Sequence, residues 1–101
     1  PHRAKAHIDK RKLTEYLLNE DHPDAKGKSP FFRKRYGSNW RALHAALQSH
    51  AYGDVTDTRE SRYGTLYVVE DTMGTANVRS VWMIRTGESF PRLVTAYPIG
   101  S

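Results

Sequence analysis

The feature that most constrains this chain is a change of hydrophobic period near residue 62. Before it, apolar residues recur at helical spacing: Leu13, Tyr16 and Leu17 share one helical face, and Trp40, Leu43 and Leu47 fall at i, i+3 and i+7, with Ala46 extending the stripe. After it, the apolar residues alternate. Segments 63–70, 76–85 and 91–97 are rich in Val, Tyr, Trp, Ile and Thr and are separated by Thr72-Met73-Gly74 and Thr86-Gly87-Glu88. Strands joined by such short turns pair antiparallel with their neighbours. Helices first and strands second predict an α+β domain: two or three N-terminal helices packed on one face of a C-terminal antiparallel sheet of three to four strands.

Local signals place the boundaries. Residues 1–8 are basic and are expected to be an arm that orders on docking, or a linker, ahead of a single domain over 9–101. Asp9 is an acceptable cap for the first helix. Residues 19–28 hold Pro23 and Gly27 among Asp, His and Lys, which predicts a loop. Ser29-Pro30 marks the second helix start and Gly37 its end; Asn39 caps the third helix, which Gly53 stops. Residues 54–62 are polar and are expected to be a connection.

With 101 residues the chain has room for one core and no second domain. It has no Cys, which excludes disulfide frameworks, thiol catalysis and thiolate zinc sites. No apolar run approaches the roughly 18 residues that span a bilayer. The formal charge of +5 and a pI near 9.7 favour a polyanionic partner: nucleic acid, an anionic membrane or an acidic protein. No His or acidic cluster has a recognisable metal-ligand spacing, and no Gly-rich phosphate loop is present, so neither a metal nor a cofactor is expected.

Several residues are chemically suggestive. His22 lies in a loop with Lys26 and Lys28, just before a helix N-terminus, where free N–H groups and the dipole attract anions. An imidazole there suits general acid–base work on a phosphate, although an exposed loop His is the plainer alternative. In the last strand, strict alternation would put Thr95 and Tyr97 on the same face as Leu93, a hydroxyl and a phenol about 7 Å apart; both types are also simply good strand formers. In the strand before it, Val78, Ser80, Trp82 and Ile84 form the core-facing row. Arg79, Val81, Met83 and Arg85 form the other, where the arginines either are solvated or contact phosphate. His50, close to a helix C-terminus, is expected to cap it through the dipole, and His44 to be structural or exposed.

Ile8-Asp9, Lys12-Leu13, Tyr16-Leu17-Leu18, His22-Pro23, Lys28, Phe31-Phe32, Tyr63-Gly64, Val78 to Trp82 and the ending Pro91 to Pro98 together resemble a bacterial domain of uncharacterised function found in polymorphic toxins. The closing Thr95-Ala96-Tyr97-Pro98 is also similar to the terminal strand of metal-independent toxin RNases of the barnase, EndoU, colicin D/E5 and RelE-like assemblage. The resemblance implies an endoribonuclease, with tRNA as one candidate substrate. In such an enzyme the ribose 2′-hydroxyl is the nucleophile and the product is a 2′,3′-cyclic phosphate. It further implies His22 as base or acid, Lys28 and Arg85 as charge stabilisers, Thr95 and Tyr97 as phosphate ligands or proton relays, and Lys26, Arg79 and Arg92 as substrate contacts. An acidic immunity protein would be the cognate partner. Delivery as part of a larger secreted toxin, with action in the target-cell cytoplasm, would be the route. No catalytic Glu can be assigned from sequence; Glu70 and Glu88 are the candidates. Two other roles suit the same charge: a non-catalytic nucleic-acid-binding module using the arm and Arg33-Lys34-Arg35, and a docking domain for an acidic protein.

Overall fold

A computed structural model describes residues 6–19 and 29–99. The first helix, α1, is an α-helical turn over Lys10–Lys12 that continues as a π-helix over Leu13–Leu17. Asp9 caps it by accepting from the Arg11 amide at 2.9 Å. The wider π turn closes with the Leu18 amide donating to the Leu13 carbonyl at 2.7 Å. Helix α2 spans Ser29–Tyr36 and α3 spans Trp40–His50, the latter capped by Asn39 accepting from the Ala42 amide at 3.1 Å. Gly37 ends α2 at φ +58°, a conformation that L side chains resist, with open space around its α-carbon. Gly37→Ala is therefore expected to cost only about 1 kcal/mol, read as a small fall in the urea midpoint.

Four strands follow as a meander in the order β1–β2–β3–β4: β1 Asp54–Ser61, β2 Gly64–Met73, β3 Ala76–Arg85 and β4 Arg92–Pro98, all neighbours antiparallel. The α+β architecture expected from the period switch is the one observed. The polar connection expected over 54–62 is instead largely β1. Every residue of this edge strand is exposed, so no apolar face had to be written into its sequence. Strand β2 also runs on past Glu70 to Met73, with Gly74 in the turn.

The helices cover one face of the sheet. Leu13, Leu17, Phe32, Leu43 and Leu47 are fully buried against Val69, Met73, Val78, Trp82, Leu93 and Ala96. Burying each of these large side chains is worth about 1.5–3 kcal/mol. The core begins before α1. Ala6 and Ile8 are buried, and the segment between them runs parallel to β4 on its outer edge: the His7 amide donates to the Pro91 carbonyl at 2.8 Å, and the Leu93 amide to the His7 carbonyl at 3.0 Å.

His50 is not an exposed cap. It is 3% exposed at the end of α3 and reaches into the sheet. Its Nε2 lies 2.9 Å from the Val78 carbonyl and 3.2 Å from that of Asp71, which can only accept, so Nε2 carries the proton. Nδ1 then accepts from the Ser80 hydroxyl at 2.6 Å, and Ser80 Oγ accepts from Trp82 Nε1 at 2.8 Å. One chain of bonds thus links the buried polar atoms of His50, Ser80 and Trp82 to the Val78 carbonyl.

Candidate functional site on the open sheet face

Among the described residues no helix packs on the other face of the sheet, and register decides what stands on it. Glu70 of β2 lies opposite Arg79 of β3, and Arg79 lies opposite Tyr97 of β4. Directly opposed residues in an antiparallel pair project to the same side, so three strands align a carboxylate, a guanidinium and a phenol in one row. Arg79 donates to Glu70 Oε2 from Nε at 3.1 Å and from Nη2 at 3.0 Å. Its Nη1 donates to the Tyr97 oxygen at 3.2 Å. Thr56, the extra residue at a bulge in β1, adds its hydroxyl to Glu70 Oε2 at 3.0 Å. The bonds to Tyr97 and to Glu70 push the Arg79 guanidinium above its ordinary value, so it is a fixed cation. Tyr97 accepts from Arg79 through its phenol oxygen.

Thr95 and Tyr97 are on this face because β4 breaks alternation. The pairing shifts between Val81 and Trp82: Thr95 stands opposite Val81, whereas Leu93 stands opposite Trp82, leaving Val94 as the additional residue. Leu93 and Ala96 are both buried, three positions apart. The expectation that Thr95 and Tyr97 share a face with Leu93 is therefore corrected; the bulge moves both hydroxyls from the core side to the open side. Thr95 Oγ1 lies 3.0 Å from the phenol oxygen of Tyr16, which α1 brings to the edge of β4, and the Lys12 ammonium sits 5.5 Å from the Tyr16 ring centre. Tyr16, read from sequence only as part of a helical apolar face, thus joins a polar group with Thr95.

Further along the same face, Arg92 stands opposite Met83, and Arg85 is exposed at the end of β3. Arg92 grips Glu88 with a two-point fork, Nε to Oε1 at 3.0 Å and Nη2 to Oε2 at 2.9 Å, and lies over the Phe90 ring at 4.8 Å. This fork holds the Glu88 carboxyl below its usual value, with Arg85 and His7 adding to the effect. The stabilisation is in full force above the ordinary carboxylate range and is lost as pH falls through the lowered value. Between the two polar ends, Leu66, Val68, Val81 and Met83 form a half-buried apolar strip.

Of the residues singled out in the sequence, Arg79, Thr95 and Tyr97 are brought together, and Arg85 and Arg92 stand on the same face. His22, Lys26 and Lys28 lie outside the described residues. Glu70 and Glu88 were unassigned candidates. Their arginine partners come from strand register and from the β3–β4 turn, which the linear sequence does not display. Among the described residues, no three His, Asp or Glu side chains come together to hold a metal ion.

A hollow of about 230 Å³ opens on the helix side, lined by Ala51, Val55, Tyr67, Val69, Trp82 and Ile84. Its walls are apolar and bring no acid and base together, so the chemistry-bearing groups point to the open face instead.

The fold has a solved counterpart. A chain of a contact-dependent growth inhibition toxin–immunity protein complex from Klebsiella pneumoniae 342 superposes with a TM-score of 0.66 at 16% sequence identity, covering 91% of this chain and 98% of that one. No curated protein matches the sequence. A family model matches residues 1–100, nearly the whole length over which the helices and the four-stranded sheet are laid out, and the chain therefore belongs to DUF6883, a domain of unknown function.

Proposed function

We propose that this domain is the toxin of a toxin–immunity pair and acts as an endoribonuclease, using the ribose 2′-hydroxyl of its substrate as nucleophile and leaving a 2′,3′-cyclic phosphate and a 5′-hydroxyl. The observation that carries the proposal is the row Glu70–Arg79–Tyr97, with Thr95 beside it, on the sheet face opposite the described helices. Transesterification at phosphorus needs a fixed cation for the phosphorane oxygens and a donor for the leaving oxygen. Arg79, held by Glu70, supplies the first, and Tyr97 supplies the second. Thr95 gives a hydroxyl for the phosphate, while Arg85 and Arg92 meet the flanking phosphates. His22 and Lys28 keep the proton-transfer and charge-stabilising roles proposed for them from sequence, with Lys26 as a substrate contact.

Similarity to a chain from a toxin–immunity complex supports the toxin half of the proposal, an immunity protein as partner and delivery into a target cell; the chain's own charge of +5 suits an acidic partner. Purified domain incubated with total RNA in EDTA is expected to yield discrete fragments ending in cyclic phosphate, seen on a denaturing gel and by end-group analysis. RNA left intact after prolonged incubation with folded domain would overturn it; tRNA is the first substrate to examine.

A non-catalytic RNA-binding role is the alternative, and the charge distribution favours it. Among the described residues before 54, seven Lys or Arg stand against two carboxylates, whereas from 54 onward five stand against six. The excess positive charge is therefore on the helical layer, where Lys10 and Arg41 also lie 4.7 and 4.6 Å from the Trp40 ring centre. Salt-sensitive binding without cleavage would select this role.

A further inference from the structure

The polar group at Thr95 does not stop at the sheet. The bond of 3.0 Å between the Thr95 and Tyr16 side-chain oxygens is a seam between two layers, since Thr95 belongs to β4 and Tyr16 to α1. Along β4, Thr95 is one same-face step from Tyr97, about 7 Å, close to the length of a nucleotide. Beyond the seam the Lys12 ammonium sits 5.5 Å from the Tyr16 ring centre. On its other flank α1 meets α3. There the Lys10 ammonium and the Arg41 guanidinium lie 4.7 and 4.6 Å from the centre of the Trp40 ring, which packs on the rim of the core while both cations are exposed. From Tyr97 to Arg41 the molecule thus presents hydroxyls, rings and cations in alternation, over the β4 edge and across α1.

The cations of this strip differ from those of the sheet in their partners. Among the described residues, the salt bridges are Arg59–Asp57, Arg79–Glu70 and Arg92–Glu88, all in the strands and their turns. Lys10, Lys12 and Arg41 join none of them and rest on aromatic rings instead, which leaves their charge uncompensated. The carboxylates near them in the chain are Asp9, engaged as the α1 cap, and Glu15. Two like charges held against one ring favour an anion arriving from outside.

We propose that Tyr16 and Lys12, followed by Lys10, Trp40 and Arg41, form a binding track for the RNA strand next to the cleaved phosphate. The proposal rests on the endoribonuclease reading and gives it a substrate-holding surface outside the reacting row. A strand leaving Tyr97 passes Thr95, crosses the β4 edge at Tyr16 and lies on α1, with its phosphates toward Lys12, Lys10 and Arg41. Cations that follow the backbone, interleaved with aromatic rings, are the two parts of a surface for single-stranded nucleic acid. That interleaving, and the unbroken approach from Tyr97, favour RNA over an acidic protein, which needs the charge alone. The track moves no proton and makes no bond, so it acts on binding rather than on the chemical step.

The test compares the wild type with Lys10→Ala/Lys12→Ala/Arg41→Ala, with Tyr16→Phe, and with Arg59→Ala, a control that removes an exposed cation from β1. Total tRNA is the probe, and each protein is melted. The triple variant alters no buried side chain and is expected to melt close to the wild type. Its KM and Kd for RNA should rise about 10-fold or more, and the slope of log affinity against log salt should fall by about 2. The single-turnover rate at saturating RNA should fall by no more than about 3-fold, as for a loss of uniform binding. Tyr16→Phe should raise KM in the same direction by a smaller factor, and Arg59→Ala should change neither constant. A triple variant with the wild-type KM, Kd and salt slope would overturn the track and leave the endoribonuclease standing. Loss of polyglutamate binding in that variant, with KM and Kd for tRNA unchanged, would assign these cations to an acidic protein and overturn it too. Wild-type domain that cuts no RNA would overturn the cleavage reading, and with it the assignment of the track to a cleaved strand.

Discussion

Tyr97→Phe is expected to lower RNA cleavage by about 10²–10⁴-fold, the range over which a positioned acid–base group acts, and to leave the fold in place. The substitution removes one oxygen and keeps the ring. Arg79 loses a partner at 3.2 Å but retains both contacts to Glu70 Oε2, and Tyr97 is only half-buried, so water replaces the lost bond. The stability change should therefore stay within about 1 kcal/mol. Single-turnover cleavage with substrate in excess of its Kd isolates the chemical step, and RNA binding by the variant should match the wild type. A variant that cleaves as fast as the wild type would remove the phenol from the mechanism, leaving Arg79 and Thr95 as phosphate ligands alone.

His50→Ala is expected to have the largest effect on stability of the substitutions considered, a loss of about 3–5 kcal/mol. The imidazole is the central link of a buried chain. Without it, the Ser80 hydroxyl loses its acceptor at 2.6 Å and the Val78 carbonyl its donor at 2.9 Å, and a ring-sized void opens beneath α3. Trp82 keeps its bond to Ser80 at 2.8 Å, but that hydroxyl is no longer oriented from the other side. In a domain of this size such a loss lowers the melting temperature by roughly 15 °C or more. Ser80→Ala, which removes the link next to the imidazole but leaves little void, should cost less, on the order of 1–3 kcal/mol. A His50→Ala protein that melts within a few degrees of the wild type would mean that water restores the network and that the core tolerates the gap.

The two substitutions separate what the two faces of the sheet do. On the helix side, Trp82, Val78 and His50 are enclosed, and changes there are read in stability. On the open side, Arg79, Tyr97, Arg92 and Glu88 are partly exposed, so changes there cost little stability and are read in function.

By itself the sequence determined the helices, the order helices-then-sheet, and the two faces of β3, because hydrophobic period and caps are local and each residue's neighbours in the chain carry the signal. Thr95, Tyr97, Arg79, Arg85 and Arg92 were also recognisable as candidates by type. Only the tertiary structure decided how they combine. Strand β1 was hidden because an edge strand exposed along its whole length has no apolar alternation to display. The true face of Thr95 and Tyr97 was hidden because one extra residue at Val94 inverts every side chain beyond it, and nothing in Leu93-Val94-Thr95 marks the bulge. His50 read as a cap because a helix C-terminus attracts a cation; α3 instead ends against β3, and a buried hydroxyl with two carbonyls claims the ring. His7 read as part of a basic arm until the pairing of its backbone with Pro91 and Leu93 tied it to the β4 edge. Pairing between strands distant in sequence sets register, and register, not composition, selects which side chains meet.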